Sequence, residues 1–193
     1  MGISIKIYPY GMYGENTYLI TDEKTGLKAI VDPGYYSEKV RCDIGNSQSL
    51  KYLLLTHGHH DHFNAVSDYL NEYKDVVFAA PSGDKAIMKS CPEAHIWLKD
   101  GDEIALGETT LKVIATPGHT AGGICFSTDS EIFTGDTLFK MSVGRTDLES
   151  GDWDTLVKSI KERLYVLDDD MEVYSGHGVK TTIGFEKRAN PFV

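Results

Sequence analysis

Cysteine is scarce in this sequence of 193 residues, and the few that are present do not suggest pairing. They are Cys42, Cys91 and Cys125, and no two of them have the CxxC spacing. A sparse and odd number of cysteines argues against a disulfide framework and is typical of a reducing compartment. The first ten residues, MGISIKIYPY, also lack the apolar core of a signal peptide. We therefore expect the protein in the cytoplasm.

Long apolar runs and an excess of basic residues are also absent. No stretch approaches the roughly 18 consecutive apolar residues of a membrane-spanning helix, so we expect no contact with a membrane. Lys and Arg number 19 against 29 Asp and Glu, which gives a formal net charge of −10 at pH 7. Because nucleic-acid binding needs a basic surface, we expect no nucleic-acid partner. No feature of the sequence predicts an oligomeric state.

Apolar patterning predicts two groups of strands with helices between them. Ile3, Ile5 and Ile7 alternate with polar residues, as in a strand with one buried face, whereas the run at 51–55 is typical of a fully buried strand. The predicted strands lie at 3–7, 16–20, 27–31, 51–55, 75–80, 124–128, 131–134 and 173–174, with a hairpin at 102–116, and the predicted helices at 37–43, 62–73, 85–90 and 153–164. This pattern favours a single α/β domain over residues 1–193, with two sheets packed face to face and helices outside.

Four of the seven histidines occur in one short segment, THGHHDH at 56–62, directly after a predicted buried strand. In an extended loop His57 and His59 point the same way, so both can bind one metal ion. Asp61 and His62 follow where the chain turns into the next helix and can face a second ion. Imidazole and carboxylate together suit zinc, iron or manganese. His60 is the exception, and we expect it to be solvated or to lie outside the ligand set.

Three further segments place a histidine or an aspartate beside glycine at the end of a predicted strand. They are PGHT at 117–120, GDT at 135–137 and GHG at 176–178, and they contribute His119, Asp136 and His177. Glycine lets the backbone turn sharply there and leaves the side chain room to reach a shared centre. Together with the histidine-rich segment, they predict two metal-binding groups at one edge of the sandwich.

These segments, with NTYLI at 16–20 and VDPG at 31–34, resemble the metallo-β-lactamase superfamily, and within it the single-domain hydroxyacylglutathione hydrolase (glyoxalase II)-like branch. The resemblance implies an αββα sandwich holding two divalent metal ions, with Zn²⁺ expected first and iron or manganese also compatible. It implies that the first ion is bound by His57, His59 and His119, the second by Asp61, His62 and His177, and that Asp136 bridges them. It further implies that Asp32 orients a ligand imidazole.

The sequence departs from complete glyoxalase II enzymes in two ways. Those enzymes carry a C-terminal helical domain that grips glutathione, and we expect that domain to be absent here because the sequence ends shortly after His177. Arg145 lies where the family places a basic residue that meets the glycine carboxylate of glutathione, a task that suits its planar guanidinium. The usual aromatic residue two positions later is replaced by Asp147.

The implied activity is hydrolysis of a small-molecule thioester, such as an S-acylglutathione, by a hydroxide that bridges the two metal ions. Asp61 and Asp136 are the expected catalytic carboxylates, which hold the metals and the nucleophile in line. Three alternatives remain open. A mononuclear iron persulfide dioxygenase would use His57, His119 and Asp136; a lactonase or β-lactamase would use the same hydroxide; and a metal-binding protein without turnover would use the site structurally.

Overall fold

The computed structural model describes residues 2–12 and 14–193, which form two six-stranded sheets. The first sheet contains, in spatial order, β1 (Ile3–Tyr10), β2 (Glu15–Asp22), β3 (Lys28–Val31), β4 (Leu50–Leu54), β5 (Val77–Pro81) and β6 (Ile96–Leu98). The second contains β14 (Thr181–Thr182), β13 (Glu172–Ser175), β10 (Glu131–Gly135), β9 (Ile124–Ser127), β8 (Thr109–Ala115) and β7 (Glu103–Leu106). A small hairpin, β11 (Leu138–Phe139) with β12 (Ser142–Val143), follows the central strand β10.

Alternation along the strands divides the apolar side chains between three cores. In β2, Tyr18 and Ile20 face the space between the two sheets, while Leu19 faces outward against helices. The helices are α1 (Glu38–Ile44), α2 (His60–Phe63), α3 (Val66–Glu72), α4 (Trp153–Ser159) and α5 (Ile183–Ala189). Residues of α1 and α3 pack on the outer face of the first sheet, and those of α4 and α5 on that of the second. The predicted four-layer αββα sandwich is confirmed.

Helix ends follow local sequence signals where these are strong. Ser37 caps α1 by accepting a hydrogen bond from the amide of Val40, and Gly45 ends the helix at φ +72°, as predicted. Asp152 likewise caps α4 by accepting from the amide of Thr155 at 2.8 Å. A π-helical turn, Ile160–Leu164, continues α4 to the predicted end of the helix.

The predicted helix at 62–73 is two helices in the structure. The chain breaks between α2 and α3 because the Ala65 amide donates to the carbonyl of Pro33 at 3.0 Å instead of continuing the helical pattern. The short α2 carries His62, whose side chain is buried.

The predicted helix at 85–90 is wrong. A single 3₁₀ turn, Ser82–Asp84, is followed by irregular turns that lead to Pro92. The amides of Ile87 and Met88 both donate to the carbonyl of Asp84, so the chain makes a single turn there. Strands β6, β11, β12 and β14 and helix α5 were not predicted. None of the helices in the described ranges has the length and apolar character needed to cross a bilayer.

Candidate metal centre

The chemically important side chains lie at one edge of the sandwich, at the ends of strands from both sheets. The histidine-rich segment follows β4, and the segments carrying His119, Asp136 and His177 follow β8, β10 and β13. Gly135, at the end of β10, has φ +48°, and a Cβ at this position would collide with the side chain of Thr56. Glycine is therefore required for the two strand ends to approach each other.

All seven predicted ligands converge on this edge. Their possible metal-binding atoms form three groups, and within each group these atoms lie within 4.8 Å of one another. The groups are His57, His59 and His119; Asp61, His62 and His177; and His57, His62 and Asp136. We refer to the first of these as the first group and to the second as the second group. Within them, His59 Nδ1 lies 2.9 Å from His119 Nε2, and His62 Nε2 lies 3.4 Å from His177 Nε2.

Asp136 lies between the two groups. Its Oδ2 is 3.4 Å from Nε2 of His119, a member of the first group, and also 3.4 Å from Nε2 of His177, a member of the second. Its Oδ1 is 3.4 Å from Nε2 of His62. Asp61 approaches only the second group, at 3.8 Å from His62 and 3.7 Å from His177, and is partly exposed at the rim of the site.

Two buried polar atoms at the centre have no hydrogen-bond partner. They are Nε2 of His57 and Oδ1 of Asp136. Buried polar groups are hydrogen-bonded in the great majority of cases. Two such atoms without a partner, on side chains of the same group, therefore indicate that a further partner binds there. Both are good ligands for a divalent transition metal, as are the neighbouring imidazole and carboxylate atoms. The residues present therefore fit divalent metal ions.

Contacts outside the cluster orient the ligand imidazoles. Asp32 Oδ2 accepts a hydrogen bond from His62 Nδ1 at 2.9 Å, and the carbonyl of Arg145 accepts one from His119 Nδ1 at 2.6 Å. Nδ1 of His57 lies 3.0 Å from the hydroxyl of Thr56. In each case the other ring nitrogen, Nε2, faces the cluster and is left to bind a metal.

The electrostatics of the cluster favour bound cations. Burial lowers the pKa of His57 well below its ordinary value, so its imidazole is neutral and available as a ligand. Burial also opposes the charged form of His62, but the carboxylates of Asp136 and Asp32 outweigh it and raise the pKa to about 10. Burial would raise the pKa of Asp136, yet the imidazoles of His62, His177 and His57 hold it well below its ordinary value.

The remaining predicted site residues lie outside the cluster. His60 is exposed, with its ring against Phe63, as expected. Arg145 is exposed at the surface, where its guanidinium donates two hydrogen bonds to Asp147, at 2.6 and 2.7 Å. The backbone carbonyl of Arg145, not its side chain, contacts the cluster through His119.

Asp84, which was not predicted from the sequence, is 1% exposed and lies on the turn after β5. Its carboxylate accepts hydrogen bonds from both loops that carry the first group. The signal was present in the sequence, because Gly83-Asp84 follows a buried strand, as Gly135-Asp136 does.

Comparison with known proteins agrees with this geometry. Residues 10–177 match the family model of the metallo-beta-lactamase superfamily. The hydroxyacylglutathione hydrolase GloC of Haemophilus influenzae is 35% identical over 209 residues, covering 99% of this chain and 98% of that protein. The crystal structure of TTHA1623 in a di-iron-bound form has a TM-score of 0.86 and 30% identity, with coverage of 97% and 100%. ETHE1 from Myxococcus xanthus has a TM-score of 0.82 and 30% identity, with coverage of 97% and 83%.

Proposed function

Because this chain belongs to the metallo-beta-lactamase superfamily, we propose that its two groups of ligands form the two-ion centre of a thioester hydrolase. Membership in this superfamily supports a metal-dependent hydrolase. The finer proposal is that it hydrolyses a small thioester such as an S-acylglutathione and uses two divalent ions, with Zn²⁺ as the first expectation. The observation that carries the proposal is the position of Asp136, within 3.4 Å of imidazoles from both groups.

The two groups divide the work of holding the metals. His57, His59 and His119 would hold one ion, and Asp61, His62 and His177 the other, with Asp136 shared between them. Divalent ions held there supply Lewis acidity and a water-derived nucleophile at neutral pH. Asp61 lies at the solvent rim of the second group.

A thioester suits this centre better than an ester or an amide. A thiolate leaves readily without prior protonation, because the pKa of a thiol is about 8.5. The side chains that converge here are imidazoles committed to metal binding and ionised carboxylates, and the pKa of Asp136 is held low. The proposal thus needs no separate general acid. The relative GloC, named as a hydroxyacylglutathione hydrolase, supports the same substrate class.

The test combines metal analysis with a substrate panel. Elemental analysis of the purified protein is expected to find two metal ions per chain. The panel pairs S-lactoylglutathione with an uncharged lactoyl thioester, a lactone and a β-lactam, each assayed with and without oxygen. We expect thioester hydrolysis that does not depend on oxygen. Two bound ions with no turnover of any thioester would contradict the proposal.

A second candidate, an iron-dependent persulfide dioxygenase, is favoured by the similarity to ETHE1 from Myxococcus xanthus. It would use His57, His119 and Asp136 as a two-histidine, one-carboxylate iron site. Elemental analysis and a persulfide substrate added to the panel separate the two functions: one iron per chain and oxygen consumption with the persulfide would favour the dioxygenase. A lactonase is tested by the lactone in the panel.

We also propose that the protein is located in the cytoplasm. All three cysteines are free thiols, and Cys125 is buried next to the hydroxyl of Thr116. Unpaired cysteines support a reducing compartment such as the cytoplasm.

A further inference from the structure

Asp84 lies outside the ligand set but is hydrogen-bonded to both loops that carry the first group. Its Oδ2 accepts from the amide of Gly58 at 2.8 Å and from the hydroxyl of Thr120 at 2.7 Å. Its Oδ1 accepts from the amide of Gly122 at 2.7 Å. Three short hydrogen bonds to this one buried carboxylate join the segments of Gly58 and Thr120, which are more than 50 residues apart in the sequence.

These partners are the immediate neighbours of the first group. Gly58 stands between His57 and His59, and Thr120 follows His119. Every imidazole of the first group is therefore one residue away from a group bound by Asp84. In the second group, by contrast, the imidazole of His62 is hydrogen-bonded to Asp32.

Close backbone approach reinforces this connection. A Cβ at Gly122 would collide with the backbone and carboxylate of Asp84, and a Cβ at Gly83 would collide with the backbone of Gly122. The turn of Asp84 and the loop after His119 thus pack directly on each other, with no side chain between them. Such packing leaves the carboxylate little freedom to move without moving the loop.

We propose that Asp84 is a positioning residue that fixes the spacing of the imidazoles in the first group and thereby sets the affinity of that group for its metal ion. Asp84 does not touch the ion. The inference rests on the metal centre and not on the thioester reaction, so it is tested without a substrate.

The chemistry of the contacts explains why a carboxylate is needed. All three partners of Asp84 are donors, and a carboxylate accepts through both oxygens. An asparagine amide would present its NH₂ either to Gly122 or to the pair Gly58 and Thr120, so at least one donor would lose its acceptor. The Asp84→Asn variant keeps the shape of the side chain and removes this match, and it also removes a buried negative charge beside the two loops that carry the first group.

The experiment measures metal affinity. Metal-free wild type, Asp84→Asn, Thr120→Val and Thr120→Ser are titrated with Zn²⁺ against a chromophoric chelator. Loss of an orienting contact outside the ligands lowers metal affinity about 10–100-fold. We expect a loss of this size for one bound ion in Asp84→Asn, a smaller loss in Thr120→Val, and near wild-type affinity in Thr120→Ser, which keeps the hydroxyl.

Combination with ligand variants assigns the affected ion. His59 belongs only to the first group and His177 only to the second. Asp84→Asn is expected to add no further loss to His59→Ala, because both affect the same ion. It is expected to weaken the ion that remains in His177→Ala. If the protein binds a single ion, that ion must still be weakened by Asp84→Asn.

A purely structural role gives a different result. Urea unfolding of the metal-free proteins then shows a lower stability for Asp84→Asn, while the affinities for both ions stay at the wild-type values. That result, or an equal loss of affinity in both groups, overturns the proposal. Recovery of affinity in Thr120→Ser but not in Thr120→Val supports it, because the two variants differ in the hydroxyl that Asp84 binds.

Discussion

Nδ1 of His62 donates a hydrogen bond to Oδ2 of Asp32 at 2.9 Å, and both side chains are almost completely buried. Asp32 also accepts from the amide and the hydroxyl of Thr56, at 2.8 and 2.9 Å. Its backbone lies at φ +51°, a left-handed conformation that aspartate and asparagine adopt more readily than most residues. Asp32 therefore ties the ring orientation of the candidate ligand His62 to Thr56, at the start of the histidine-rich segment.

Asp32→Asn is expected to weaken the metal ion of the second group about 10–100-fold. Asparagine tolerates the left-handed backbone, so the substitution tests the carboxylate and not the turn. It leaves His62 or Thr56 facing an NH₂ group. Zn²⁺ titration checks the prediction: the affected ion is the one that His177→Ala loses. The exposed Asp129→Asn is the matched control, and unchanged affinity in Asp32→Asn would contradict the role of Asp32.

Asp136→Ala is expected to abolish turnover and to remove one metal ion per chain. The reason is its position between the two groups, with Oδ2 3.4 Å from Nε2 of both His119 and His177. Elemental analysis and steady-state kinetics on S-lactoylglutathione measure the two effects on one preparation. Normal turnover in this variant would refute the assignment of Asp136 as the shared ligand.

Arg145 and Asp147 form an exposed ion pair. This pair allows a test of whether Arg145 binds a carboxylate of the substrate. If Arg145 binds a substrate carboxylate, Asp147 competes with it. Asp147→Asn is therefore expected to lower KM about two- to five-fold for S-lactoylglutathione, a size typical of surface ion pairs. Arg145→Met is expected to raise that KM.

An uncharged lactoyl thioester distinguishes carboxylate recognition from a general effect. Its KM is expected to stay constant in both variants, and kcat to change little for either substrate. Arg188→Met, which removes a surface arginine paired with Asp169, is the control. Equal changes for the charged and uncharged thioesters would show that Arg145 does not read the carboxylate.

Three of the seven candidate ligands were predictable because they share one local signal. His119, Asp136 and His177 each stand beside glycine at the end of a strand, and strand ends in a packed sandwich meet at a common edge. The local sequence pattern is therefore sufficient to predict that these three side chains lie close together. It also indicated Asp32, which follows β3 at that edge.

The features that were not predicted correctly depend on contacts between residues distant in the sequence. Asp84 binds Gly58 and Thr120, which are 26 and 36 residues away, and this use of its turn replaces the predicted helix at 85–90. Helix α5 is also too short for a periodic signal, and it is positioned by the buried carboxylate of Glu186. Local patterning cannot reveal which buried carboxylate finds its donors in another segment.

Asp22 predicts a pH-dependent contribution to stability. It accepts hydrogen bonds from the amide and hydroxyl of Thr25 and from the hydroxyl of Thr109 on the second sheet. The hydrogen bond from the Thr25 side chain is the main cause that lowers its pKa from 3.8 to about 2. Because the folded pKa is depressed, the contribution is present above about pH 4 and is lost as the pH falls through 2.

Asp22→Asn is expected to lower the free energy of unfolding by about 1.5–3 kcal/mol at pH 7, the range for hydrogen bonds to a charged group. The difference from the wild type is expected to shrink steadily below pH 4. Urea unfolding at several pH values measures it, with the exposed Asp170→Asn as control. A difference that stays constant down to pH 2.5 would mean that the ionised form of Asp22 is not what stabilises the fold.

Glu186 holds the hairpin β11–β12 against α5. Its Oε2 accepts from the amide of Met141 and from the side chain of Asn190, both at 2.9 Å, and its Oε1 accepts from the hydroxyl of Thr181 at 2.6 Å. Met141 lies at the hairpin turn with φ +59°, a strained conformation that this contact helps to maintain. On the other side of the hairpin, Phe139 packs edge-on against His177, with ring centroids 5.9 Å apart.

Glu186→Gln is expected to lower the free energy of unfolding by about 1–3 kcal/mol, because a glutamine amide leaves a buried donor without an acceptor. The exposed Glu162→Gln is expected to change it by less than about 0.5 kcal/mol. The loss at Glu186 is expected to appear locally, as faster hydrogen exchange of the amides at 138–143. If stability falls while hydrogen exchange in the hairpin stays at the wild-type rate, Glu186 stabilises only its own helix, and other contacts hold Phe139 of the hairpin beside His177.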